Sequence, residues 1–114
     1  MVASSLLLVL SLSPVEQALE AKAYQAAWKA LPIPKGKAGA KARAKWLQEA
    51  PALQVVQAAR TAEGRKDYTL CADAFQAVAE RLPELRDDLG TRVLSCARKA
   101  KNDKGVKAAA SLLL

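Results

Sequence analysis

Lys35-Gly36-Lys37-Ala38-Gly39-Ala40-Lys41-Ala42-Arg43-Ala44-Lys45 carries five cations and no anion. Lys37, Lys41 and Lys45 are four apart, so on a helix they would form one cationic stripe. Such a stripe can meet phosphates, with an affinity that falls steeply as salt rises. No base-reading motif accompanies it, and the plainer interpretation is a solvated basic loop. In an exported chain the same residues, Lys35, Lys37, Lys41, Arg43 and Lys45, would touch anionic cell-wall polymer or lipid headgroups.

The other reactive side chains are few. Histidine is absent, which removes the usual general base, the commonest metal ligand and every Ser-His or Cys-His nucleophile. Cys71 and Cys96 are the only cysteines, and no CxxC pair exists, so a zinc site is not expected. In an oxidising compartment the two would form a disulfide; in a reducing one they would be small buried hydrophobes. Asp87 with Asp88, and Glu80 with Glu84 one helical turn on, are the carboxylate pairs. They sit among Arg81, Arg86 and Arg92, the setting of exposed ion pairs rather than of acid–base catalysis. Trp28 and Trp46 flank the basic segment, either bracketing a ligand or supplying core volume. No catalytic, cofactor-binding or metal-ligating set is expected.

Helices carry these residues. Of 114 residues, 52% are hydrophobic but only 4% aromatic, and alanine dominates. Alanine favours helix and permits close helix pairs, and no strand-like alternation competes. The net charge of +7 favours anionic partners without dictating the fold. Ser13, Pro14 and Glu16 form a helix start with a capping box, predicting one helix from Pro14 to about Leu31. Further helices are predicted over 40–50, 52–63, 68–82 and 84–101, with a short sixth around Val106 to Leu113. Asp67 is the expected cap of the fourth, and the Arg98, Lys99, Lys101, Lys104 and Lys107 cluster is read as a helix-end effect. Short connections imply antiparallel neighbours.

The N-terminus supports two readings. Leu6 to Leu12 has the length of an export-signal core, and Ala21-Lys22-Ala23 offers a small-x-small cleavage site; the same residues also suit an apolar first helix. Residues 1–23 are therefore an export signal or a first helix, and 24–114 a helical-hairpin domain containing the basic loop 35–45.

Residues 52–85 resemble one tetratricopeptide repeat. Val55, Ala58, Ala59 and Ala62 take the first-helix positions, and Cys71, Phe75 and Pro83 fall at the second-helix spacings. Val55 stands where the family has a large aromatic, and Ala62 where it has a tyrosine. The resemblance implies an all-α short solenoid of antiparallel helical hairpins that binds or scaffolds other proteins. More loosely, Tyr68 to Leu89, with Arg81-Leu82-Pro83-Glu84-Leu85, is similar to the helical N-terminal region of soluble lytic transglycosylases. That likeness implies a non-catalytic helical part of a periplasmic cell-wall protein, since nothing here matches the family's catalytic domain. The expectation is a non-catalytic module at the cell envelope, periplasmic or secreted rather than cytoplasmic. Its partner would be another protein, another domain of the same protein, or anionic cell-wall polymer, ahead of nucleic acid.

Overall fold

A computed structural model describes residues 13–113, and all regular structure among them is helical. The apolar Leu6 to Leu12 stretch lies outside the described residues. Seven α-helices follow in order: α1 Pro14–Glu20, α2 Tyr24–Ala30, α3 Ala40–Glu49, α4 Ala52–Gly64, α5 Tyr68–Arg81, α6 Arg86–Lys99 and α7 Asp103–Leu113. Short 3-10 turns occupy Lys37–Gly39 and Pro83–Leu85. No described helix is long and apolar enough to cross a membrane.

The predicted helix from Pro14 to Leu31 is two helices. Ser13 caps the first, its hydroxyl accepting from Glu16 N at 3.1 Å. Glu16 does not complete a box; its carboxylate accepts instead from Gln57 Nε2 on α4 at 3.0 Å. The chain then reverses at Lys22, whose φ is +58°, with Ala23 N donating to Ala18 O at 2.7 Å. Nothing in Leu19-Glu20-Ala21-Lys22-Ala23 breaks a helix by itself. A straight 18-residue helix would run about 27 Å and carry half of its apolar face past any partner. Folding back buries both Val15 and Ala27, so tertiary burial overrides local propensity here.

The core is built from small residues and a few large ones. Val55, Ala58, Ala59 and Ala62 of α4 are fully buried, as are Cys71, Ala74 and Val78 of α5 and Val93, Cys96 and Ala97 of α6. Phe75 supplies the main volume between them. Alanines at the contacts let α4 pack on α5, α5 on α6 and α6 on α7. Gly64 ends α4 beneath the Tyr24 ring, which lies where a Cβ would stand. The bare glycine is what lets α2 seat on α4.

Two later connections repeat the geometry of the turn at Lys22. After α4, Lys66 takes φ +66° and Asp67 N donates to Ala62 O; after α6, Lys101 takes φ +56° and Asn102 N donates to Ala97 O. These are left-handed helix terminations with a bond spanning five residues. The residue that follows then caps the next helix, Asp67 Oδ1 for Leu70 N at 3.3 Å and Asn102 Oδ1 for Gly105 N at 3.1 Å.

The expected pairing of Glu80 and Glu84 on one helix does not occur. Glu80 is on α5, Glu84 is in the 3-10 turn opened by Pro83, and a proline cannot continue the α5 ladder. The helix predicted from Glu84 accordingly begins at Arg86 and ends at Lys99.

Candidate basic basin at Trp28

The basic segment folds over the end of α2. Pro32 and Pro34 hold the chain extended, burying Leu31 and Ile33, and Gly36 turns it with φ +83°, a conformation that favours glycine. Arg43, from the first turn of α3, reaches back and donates Nη1 to Pro34 O at 3.1 Å and Gly36 O at 3.2 Å. Lys35 Nζ donates to Leu31 O at 2.7 Å. The loop is thus clamped by its own cations.

This clamp closes one side of a concave basin of about 430 Å³. Trp28 forms its wall, and Arg65, from the turn after α4, lays its guanidinium 4.4 Å from the centre of the indole. Lys35 Nζ stands 5.8 Å from the same ring. Both distances are those of cation–π attraction. Lys37 and Arg43 line the rim, Thr69 and Leu70 bring in the first turn of α5, and Asp67 and Asp73 complete the lining. Four cations thus face two carboxylates. Arg65 Nε is buried and has no hydrogen-bond partner among the described residues, a donor whose desolvation is uncompensated. Although Asp73 as a residue is exposed, desolvation of its carboxyl by the surrounding protein pushes it above the ordinary aspartate value, and nearby Asp67 adds to the shift.

The five basic residues named from sequence are divided by the fold. Lys35, Lys37 and Arg43 converge on the basin, whereas Lys41 and Lys45 lie exposed on α3 outside it. The single stripe of Lys37, Lys41 and Lys45 does not form, because Lys37 is in the 3-10 turn before α3 begins. Trp46 is half-buried against the core. Arg65 and Asp73 were not singled out by the sequence; 37 positions separate Trp28 from Arg65, and no spacing rule joins them.

The two cysteines are joined. Cys71 of α5 and Cys96 of α6 form a disulfide with Cα atoms 6.0 Å apart. Asp87 and Asp88 are exposed, and Asp88 Oδ2 meets Arg92 Nε at 3.8 Å. Chemically, the basin offers charge, a π face and one threonine hydroxyl. That suits holding a planar or carboxylate-bearing anion. The chain matches no family model, no curated protein and no solved structure.

Proposed function

We propose that the chain is a non-catalytic helical module that binds another protein, taking an acidic segment of that partner into the basin at Trp28. One observation carries the reading. The Arg65 guanidinium stands 4.4 Å from the centre of the Trp28 ring, with an unpaired, buried Nε, in a basin that Lys35, Lys37 and Arg43 also line. An incoming carboxylate that pairs with the Arg65 guanidinium would gain a charge-assisted hydrogen bond. A Trp and an Arg together are the residues most often found to dominate binding energy at protein interfaces.

The architecture we propose to go with it is a short tetratricopeptide-like stack of antiparallel hairpins, α4 with α5 and α6 with α7. Of the three matching turns, those at Lys66 and Lys101 support this, since they lie 35 residues apart, near the family's period, whereas the turn at Lys22 stands 44 residues before Lys66. An envelope location is part of the same proposal; the apolar Leu6 to Leu12 stretch and the Cys71–Cys96 bond are both at home in an exported protein. There, carboxylate-bearing wall polymer is an alternative occupant of the basin.

The test is titration of a Trp46→Phe background, in which Trp28 is the sole tryptophan and is excited selectively, with a Glu-rich peptide, a peptidoglycan fragment and an oligonucleotide. The peptide is expected to perturb Trp28 emission saturably, and Arg65→Ala to weaken binding about 10-fold or more, the range for losing a charged hydrogen bond of about 1.5–3 kcal/mol. Lys41→Ala with Lys45→Ala should change little. Binding of the oligonucleotide alone, abolished by the Lys41 and Lys45 changes, would replace this reading with nucleic-acid binding.

A further inference from the structure

The disulfide has an acidic neighbour. Glu63, in the last turn of α4, places Oε2 3.7 Å from Cys96 Sγ, and a carboxylate oxygen of Glu63 and both sulfurs lie within 4.8 Å of one another. Neither sulfur carries a hydrogen in the disulfide, so this is a contact without a hydrogen bond. Both cysteines are fully buried. Glu63 is half-buried, and it forms part of the wall of a separate cavity of about 360 Å³ that Tyr24, Arg60 and Arg92 also line. Glu63 alone of the three borders that cavity.

We infer that, once the disulfide is reduced, Cys71, Cys96 and Glu63 form a binding site for a thiophilic divalent cation such as Zn²⁺ or Cd²⁺. Two thiolates and a carboxylate are a donor set that such ions accept, with a fourth, open position for water. Tetrahedral geometry at metal–sulfur about 2.3 Å and metal–oxygen about 2.0 Å asks for about 3.8 Å between sulfurs and about 3.5 Å between sulfur and oxygen. The Glu63–Cys96 separation of 3.7 Å is already close to the second requirement, and Cys71 Sγ, within 4.8 Å of the Glu63 carboxylate, must close the rest of the distance as it turns. With Cα atoms 6.0 Å apart, rotation about the two Cα–Cβ bonds meets the first without moving α5 from α6. Two thiolates and one carboxylate around a dication leave one negative charge, and Arg60 and Arg92 stand on the cavity wall to offset it.

The chemistry closes. A dithiol reductant passes two electrons and two protons to the sulfur–sulfur bond, becoming a disulfide itself and leaving two thiols. Metal binding then displaces both thiol protons to solvent. The bond and the ion are alternatives, each fastening α5 to α6, and the ion additionally fastens α4 through Glu63.

The experiment uses the full chain, reduced with a phosphine without denaturant and titrated with Cd²⁺. Thiolate-to-metal charge-transfer absorption and circular dichroism are followed together. The reduced chain is expected to take up one equivalent with a charge-transfer band, and the oxidised chain to show no band. Glu63→Gln should keep the band but weaken binding at least about 10-fold, the lower bound for losing even an outer-sphere partner. Cys71→Ser should lose most of the absorption. If reduction unfolds the chain, one equivalent of Cd²⁺ must restore its helicity. The inference fails if the reduced chain gives no band, if Cd²⁺ leaves it unfolded, or if Glu63→Gln binds as tightly as the parent while its oxidised form melts normally.

Discussion

Replacing Gly64 with alanine should reveal how α2 is held to α4, because two effects of opposite sign meet at that position. Gly64 is the last residue of α4, and an alanine there gains helix propensity, up to about 1 kcal/mol in mid-helix and about half that at an end. Against this, the new Cβ would stand 2.6 Å from Tyr24 Cζ and nearer still to two other ring carbons. Contacts that short force the ring aside, and overpacking of this kind typically costs about 1–3 kcal/mol. Gly64→Ala alone is therefore expected to destabilise by about 0.5–2.5 kcal/mol. In a Tyr24→Ala background the clash is gone, and the same change should stabilise by about 0.5 kcal/mol. Urea denaturation of the four chains, disulfide intact and slopes compared, measures the coupling directly. A coupling below about 0.5 kcal/mol, with Gly64→Ala stabilising in both backgrounds, would refute the claim that a bare α4 terminus seats Tyr24.

Three other outcomes are expected. Replacing both Cys71 and Cys96 with alanine opens a link spanning 25 positions, and chain-entropy arguments put the loss at about 3.5 kcal/mol by urea denaturation. Asp73 has a folded-state pKa above the ordinary aspartate value, from enclosure and from Asp67, so the folded chain binds the extra proton and stability falls as pH rises through that interval. Asp73→Asn should thus be more stable than the parent at neutral pH, with the difference closing as pH drops below the ordinary aspartate value; thermal melts across pH 3–7 check it. Gln57→Leu removes the donor that reaches Glu16 Oε1 at 3.0 Å and Ser13 Oγ at 3.4 Å, and should loosen α1 first. Hydrogen exchange would show protection lost over 14–20 while α5 and α6 keep theirs.

The fold class was legible because the sequence states it locally. Asp67 precedes an unbroken apolar stripe from Tyr68 to Leu82, and Pro51 and Pro83 each interrupt helices where a missing N–H must. The break at Lys22 was not legible, since its neighbours are all good helix formers and only the burial of Val15 and Ala27 on both sides selects it. Lysines at positive φ after α1, α4 and α6 give the same lesson. Turn chemistry would ask for glycine there, and packing supplies what the side chain does not. At the basin, the cations were visible as composition, but their division was not. Whether Lys37 joins Lys41 or Lys35 depends on where α3 begins, three residues after Lys37. Arg65 on Trp28, and Glu63 beside Cys96, are contacts between segments far apart in the chain. No period of 3.6 residues encodes them.

The bond between Cys71 and Cys96 also changes what a broken backbone would mean. Most of α5, the exposed Pro83–Leu85 turn and the first three-quarters of α6 lie between the two cysteines. A cut anywhere in that interval yields two pieces that remain one covalent object, with the remains of α5 and α6 tied together near the buried face of α4. A cut outside it releases a fragment. The outermost loop of that interval is therefore where the molecule can be nicked, or given new ends, and still travel as one.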